Sequence, residues 1–278
     1  MKKISSVISL LCLGFIWAGC GSGGGGGGGG TTTGASNPAP APTLTESASG
    51  IWIGTVESTV AGSACEQGVK QCDMVGIVDE NNVLRFYNVT TRDQYSGTVY
   101  GSGKTISSTI TIYPVGAGST IAAVQITGSV DDTNINIPKT MTLQYSGAGD
   151  TGSINLIYDP ALYERQSLIS YLSYTWNNSS DTLSITDNGN KSGTLNGTMT
   201  FDSSNPLYTD CPLTGSVTII DDNFNVYAVD ITISSCDVFD GSYQGLTSLS
   251  DLVQANDNMK ITFYVSNSGA AIMAQLTR

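Results

Sequence analysis

The chain contains no histidine. Imidazole triads, imidazole metal sites and an imidazole general base are therefore excluded together. Acid–base work would fall to carboxylates, and the adjacent aspartate pairs are Asp131-Asp132 and Asp221-Asp222. A glycosidase needs two carboxyl groups at a set separation, one of them raised in pKa by an apolar cleft. Both pairs sit in turn-forming sequence, where neighbouring side chains point apart and stay solvated. Asp230 falls on the outer face of an expected strand. Asp187-Asn188-Gly189-Asn190 carries part of a calcium-loop pattern but lacks the closing acid, so it reads as a hairpin turn. Serine nucleophiles lack any Ser-x-x-Lys or Gly-x-Ser-x-Gly context. Gly103-Lys104-Thr105 matches the tail of a phosphate loop, but Thr98 stands where the leading glycine belongs. Asn88-Val89-Thr90 and Asn196-Gly197-Thr198 match the short glycosylation sequon, a three-residue pattern that arises readily by accident. No catalytic residue, metal site or cofactor is expected, and the chain is read as a non-enzyme.

Cysteines are the remaining reactive groups: Cys12, Cys20, Cys65, Cys72, Cys211 and Cys236. The first two belong to the leader region discussed below. Four remain, an even number that suits two disulfides in an exported protein. Three pairings are possible. Spacing favours Cys65–Cys72, closing the loop CEQGVKQC, and Cys211–Cys236, bracketing a hairpin. A metal site is the alternative, disfavoured by the missing histidine and the missing Cys-x-x-Cys.

Aromatics offer a different chemistry. Tyr87, Tyr95, Tyr100 and Tyr113 fall in successive expected strands. On one exposed face they would form a patch able to stack on sugars or a partner; ordinary half-buried strand positions are the competing reading.

The elements that position these residues follow period two. Ile106, Ser108, Ile110 and Ile112 alternate with Thr and Tyr; Met141, Leu143 and Tyr145 alternate with Thr and Gln. This is the signature of antiparallel strands with one wet face. Turn clusters recur about every 8–12 residues, the rhythm of a meander barrel or sandwich. About eight strands are expected between Ile51 and Tyr158. Asp159-Pro160 supplies a cap and a first-turn proline, so a short helix or two helical turns interrupt the strands over 159–172. A second β module follows over 173–278. Its last hairpin turns at Ser268-Gly269, pairing Val265 with Ile272, Phe263 with Ala274 and Ile261 with Leu276. In the cysteine hairpin, Val217 and Ile219 share odd parity with Tyr227, Val229 and Ile231, which demands an odd loop or a bulge. The fold class is all-β: two antiparallel modules, 47–158 and 173–278, joined by a helical connector. The modules resemble each other weakly, each opening near a tryptophan, Trp52 and Trp176. A Gly-x-Trp opening to a meander also resembles lipocalin-like and avidin-like barrels, in which the tryptophan plugs one end.

The amino terminus reads as an export signal over 1–19: Met1-Lys2-Lys3, an apolar run from Ile4 to Trp17, then small residues. Ala18-Gly19-Cys20 resembles the lipobox of bacterial lipoproteins, which implies lipid on Cys20 as the new first residue; Trp17 departs from the leucine usual there. Residues 20–46 form a Gly/Pro leash spanning about 25–30 Å if flexible. Gly21 replaces the aspartate that retains such proteins at the inner membrane, so the resemblance implies an outer-membrane address. Several segments, SGIWIGTV, QYSGTVYGSG, TGSINLIYDPALYERQSL, CPLTGSVTIIDDNFNVYAVDITISSC and MKITFYVSNSGAAIMAQLTR, resemble a group of proteobacterial envelope lipoproteins. That resemblance implies a secreted β domain and transfers no catalytic residues.

The charge fits display. Formal net charge is −12, and it falls further once Lys2 and Lys3 leave with the signal. An acidic, lysine-poor surface argues against nucleic acid and against lying flat on anionic lipid. Short strands and a terminal Arg278 disfavour a membrane-spanning barrel. The sequence therefore points to an envelope-anchored binding or interaction module, touching the membrane only through its lipid and meeting an envelope protein or a glycan. A structural outer-membrane-associated protein is the alternative, and an Asp-dependent carbohydrate enzyme a more distant one.

Overall fold

The computed structural model describes residues 47–59, 65, 70–114, 120–133, 138–201 and 204–278. The expected signal, Cys20 and the leash lie outside the described residues.

Strands β1 (Gly50–Ser58), β2 (Gln71–Val78), β3 (Val83–Asn88), β4 (Gln94–Thr98), β5 (Gly101–Ser102), β6 (Thr105–Tyr113), β7 (Ala122–Asp131), β8 (Thr140–Gly147) and β9 (Asp150–Tyr158) form the first module. β1 to β4 pair antiparallel in succession, as do β5 to β9; β1 returns to β9, and β4 skips the two-residue β5 to pair with β6. The sheet thus closes on itself, and the strand number exceeds the expected eight only through β5. Two helical turns follow, α1 (Pro160–Tyr163) and α2 (Ile169–Leu172). Asp159 accepts a hydrogen bond from the Leu162 N–H and Pro160 occupies the first turn, as the cap reading required. Then β10 (Thr175–Asn177), β11 (Thr182–Asp187), β12 (Ser192–Met199), β13 (Cys211–Ile219), β14 (Tyr227–Ile233), β15 (Gly241–Ser250), β16 (Lys260–Ser266) and β17 (Ala271–Thr277) close a second barrel. Two short 3-10 turns, Pro206–Tyr208 and Asp237–Phe239, also break the strand rhythm. The sequence pattern had flagged only the connector.

Register follows side-chain parity. In β6, Ile106, Ser108 and Ile110 are buried while Thr105, Ser107 and Thr109 face water. The last hairpin pairs Val265 with Ile272, Phe263 with Ala274 and Ile261 with Leu276, with Asn267 Oδ1 accepting from the Gly269 and Ala270 N–H groups. The cysteine hairpin pairs Ile219 with Tyr227 and leaves the loop 220–226, an odd number of residues.

Each barrel is filled by its own side chains. Trp52 and Trp176 are fully buried. The indole N–H of Trp52 donates to the Ala48 carbonyl and that of Trp176 to the Leu172 carbonyl, four residues back in each case. A cation lies over each ring: Lys139 Nζ is 5.4 Å from the Trp52 centroid, and the Arg278 guanidinium 5.5 Å from that of Trp176. The two modules therefore share a plug as well as a topology. Tight coiling of the walls requires interior glycines. A Cβ on Gly54 would fall 2.0 Å from the Asn155 carbonyl oxygen, and one on Gly215 would fall 2.1 Å from that of Asp230. Disulfides Cys65–Cys72 and Cys211–Cys236, with Cα separations of 5.7 and 5.3 Å, tie loops at the barrel ends.

Candidate functional site

A lipocalin-like barrel would hold its ligand inside, whereas among the described residues the interiors are packed with core side chains. The second barrel keeps a cavity of about 20 Å³, walled by Leu183, Leu195, Leu213, Phe263 and Val265. That is about the space of one or two waters, with apolar walls that would not hold them. The first barrel ends in a polar network: Tyr145 Oη donates to Asp150 Oδ2 at 2.5 Å, Ser58 Oγ donates to the same carboxylate at 2.9 Å, and the Thr151 N–H donates at 2.8 Å. Burial and the bond to Asp150 push the Tyr145 hydroxyl pKa up. This Tyr-Asp-Ser set is not legible in the sequence because Ser58 lies 92 positions from Asp150. Its bonds are mutual, so it reads as the closure of a barrel end.

The carboxylates singled out from sequence do not converge. Asp131 is exposed, bonded by the Thr133 N–H and lying 3.8 Å from Lys104 Nζ. Asp222 pairs with Lys191, Asp221 accepts from the Asn223 N–H, Asp230 accepts from Gln244, and Asp187 accepts from the Gly189 N–H. Asn88 of the first sequon is fully buried.

The tyrosines do not form the exposed patch. Tyr95 is buried in the first barrel core opposite Phe86. Tyr87 faces outward and is buried against the second barrel. Tyr113 Oη donates to the Asn267 carbonyl at 2.7 Å, and Tyr100 alone is exposed. Strand parity separates Tyr87 from Tyr95, and the barrel-to-barrel packing consumes Tyr87 and Tyr113.

That packing makes the site. The two barrels lie side by side in one compact unit. Their outer walls meet through Ile51, Ile77 and Tyr87, the connector residue Tyr163, and Val226, Leu246 and Tyr264. Polar groups stitch the seam. Tyr163 donates to Glu80 in a short hydrogen bond, and Tyr163 stacks on Phe224 with centroids 4.7 Å apart. Asn225 Nδ2 donates to the Leu162 and Leu249 carbonyls. Arg165 grips Asp251 with two bonds of 2.8 Å. These bonds hold the Asp251 carboxyl below the usual range, whereas burial raises Glu80 and Asp79. Arg85 sends one nitrogen to the Leu84 carbonyl and another to that of Gln244 across the seam, while its Nε is buried without a partner. Burial lowers the Arg85 pKa.

Beside this seam runs a cleft of about 470 Å³, within the range of small-molecule sites. One wall is the outer face of the first barrel, Ile51, Ile53, Val75 and Ile77. The facing wall is Ser248, Ser250, Lys260, Thr262 and Gln275 of the second, and Leu162, Arg165 and Asp251 close one end. Cross-strand pairing sets Ile53 between Val75 and Ile157. Ile53 and Ile157 are 45% and 54% exposed, so the apolar wall runs out of the cleft into solvent. Sequence analysis missed this wall. Its signal was loss of alternation: GIWIG, MVGIV and INLIY are apolar on both faces.

No protein-family model matches the chain. The search of curated proteins returned no match. Among solved structures, the chain is similar to a Bacteroides fragilis protein provisionally described as an outer membrane protein. Identity is 13%, with 83% of this chain and 97% of that chain covered, at a TM-score of 0.27.

Proposed function

We propose that this protein is a binding module held at the bacterial envelope by lipid on Cys20, and that its site is the cleft between the barrels. The observation that carries the reading is the cleft itself: an amphipathic groove of ligand size, beside a second-barrel cavity of only about 20 Å³. The aspartates singled out from sequence are dispersed over turns and an outer strand face, and the two that line the cleft are engaged, Asp159 as the cap of α1 and Asp251 with Arg165, which supports binding over catalysis. The lipobox-like Ala18-Gly19-Cys20 and the following leash support the anchor. A thermal-shift screen of envelope lipids, glycans and peptides tests the site, using the full chain with Cys20→Ser and the same chain with added Ile53→Asp. A true ligand raises Tm of the first and not the second, because it stabilises only through an intact cleft. A component that stabilises both equally would overturn the cleft as the site. Palmitate labelling in cells tests the anchor, with incorporation expected in the native chain and lost in Cys20→Ser.

A further inference from the structure

The chemistry of the cleft walls names a ligand class, resting on the cleft reading above. The wall from the first barrel is aliphatic, and Ile53 is its exposed member. Four charged residues line the cleft: Asp159, Arg165, Asp251 and Lys260. Three are committed. Asp159 caps α1, and Arg165 and Asp251 are bonded to each other. The Lys260 ammonium has no hydrogen-bond or ion-pair partner among the described residues. It projects from the outward face of β16, with Ser250 directly opposite on β15. The cleft therefore offers one aliphatic strip and one uncommitted cation.

Other occupants fit less well. An extended peptide gains affinity by adding to a sheet edge, and among the described residues both sheets close, leaving only the two-residue β5 with a neighbour on one side. A sugar would stack on an aromatic face, but the cleft aromatics are Trp52 and Tyr264, exposed by 0% and 7%. A cationic or zwitterionic amphiphile would set its positive group against Lys260.

We propose that the cleft binds a single-chain alkyl carboxylate, with the chain along Ile53 and Val75, over the buried floor of Ile51 and Ile77, and the carboxylate at Lys260. An ammonium–carboxylate bond in a partly enclosed groove supplies the selectivity, and the aliphatic strip supplies the affinity. The test titrates the full chain carrying Cys20→Ser with decanoate, decanol and decyltrimethylammonium by calorimetry, well below micelle formation. Decanoate is expected to bind one to one. Lys260→Gln should weaken it about tenfold and leave decanol unchanged, Lys260→Arg should keep decanoate binding, and Ile53→Asp should weaken both. Both positions face outward, so a melting curve verifies that the variants fold. If Lys260→Gln leaves decanoate unchanged, or decyltrimethylammonium binds as tightly, the carboxylate assignment is overturned. In that case a loss of decanol binding in Ile53→Asp would still uphold the cleft as a site. If none of the three binds, the alkyl class falls, and the wider cleft reading is decided by the envelope screen.

Discussion

The inside of each barrel and the seam between the barrels are both buried, yet they are built from opposite chemistry. The interiors are aliphatic and aromatic, sealed by a tryptophan, with polar groups such as Asp150 confined to the ends and bonded there. The seam mixes Ile51, Ile77 and Tyr264 with Glu80, Arg85, Tyr163 and the Arg165–Asp251 pair. Closed barrels spend their apolar residues on cohesion and leave little interior space. Groups that can titrate, or can meet a ligand, collect where two outer walls approach without fully joining. The difference teaches that the folding unit and the functional unit are distinct here: each barrel makes a core, and only the pair makes a cleft.

Variants separate the two regions. The largest expected effect is interior. Trp176→Ala removes a fully buried ring and its bond to the Leu172 carbonyl, and should cost about 3–5 kcal/mol in urea unfolding. Next, replacing Cys211 and Cys236 with serine frees a loop spanning a sequence separation of 25. The loss should be about 3 kcal/mol in the chain-entropy model, read from the same transition.

Seam variants should behave differently. Arg165→Ala breaks two charge-assisted bonds to Asp251 and should cost about 2 kcal/mol near neutral pH. Asp251 is depressed in the folded state, so its contribution is present above the ordinary aspartate range and is lost as pH falls through the lowered value. The variant should therefore lose less stability on acidification than the native chain does.

Glu80→Gln should have the smallest effect on stability at acid pH and a visible one on the pH profile. Burial raises the folded-state pKa of Glu80. Its contribution is thus greatest below the ordinary glutamate range and is lost as pH rises through the raised value. Glutamine should flatten that loss, leaving only the part due to Asp79, which burial raises in the same direction. If Glu80→Gln and Trp176→Ala gave the same pH-independent loss, the contrast between seam and interior would be broken.

Much of the fold was legible in the sequence. Alternation in β6, β8 and β17 placed one face inward, the Ser268-Gly269 turn fixed a register, and Asp159-Pro160 marked the connector. The odd loop after β13 followed from the parity of Val217 and Tyr227. The candidate site was not legible in the same way. Tyr87, Tyr95, Tyr100 and Tyr113 are near in sequence, but closure of the barrel sends Tyr95 inward and Tyr87 outward, and the second barrel then covers Tyr87. The cleft joins Ile53 to Lys260, more than two hundred positions apart, and local periodicity cannot report such a pairing. What the sequence did carry was a local failure of the pattern. Ile51-Trp52-Ile53 and the run from Ile261 to Val265 are apolar or buried on both faces, and a strand of that kind has a second surface to cover.

The central claim is that ligand meets the cleft and not a barrel interior. Isoleucine-methyl NMR of the Cys20→Ser chain, recorded as decanoate is added, tests it directly. Ile51, Ile53 and Ile77 report on the cleft, while Ile231 and Ile272 line the cavity of the second barrel. The account predicts saturable shifts at Ile51, Ile53 and Ile77 with Ile231 and Ile272 unmoved. Shifts confined to Ile231 and Ile272 would contradict it.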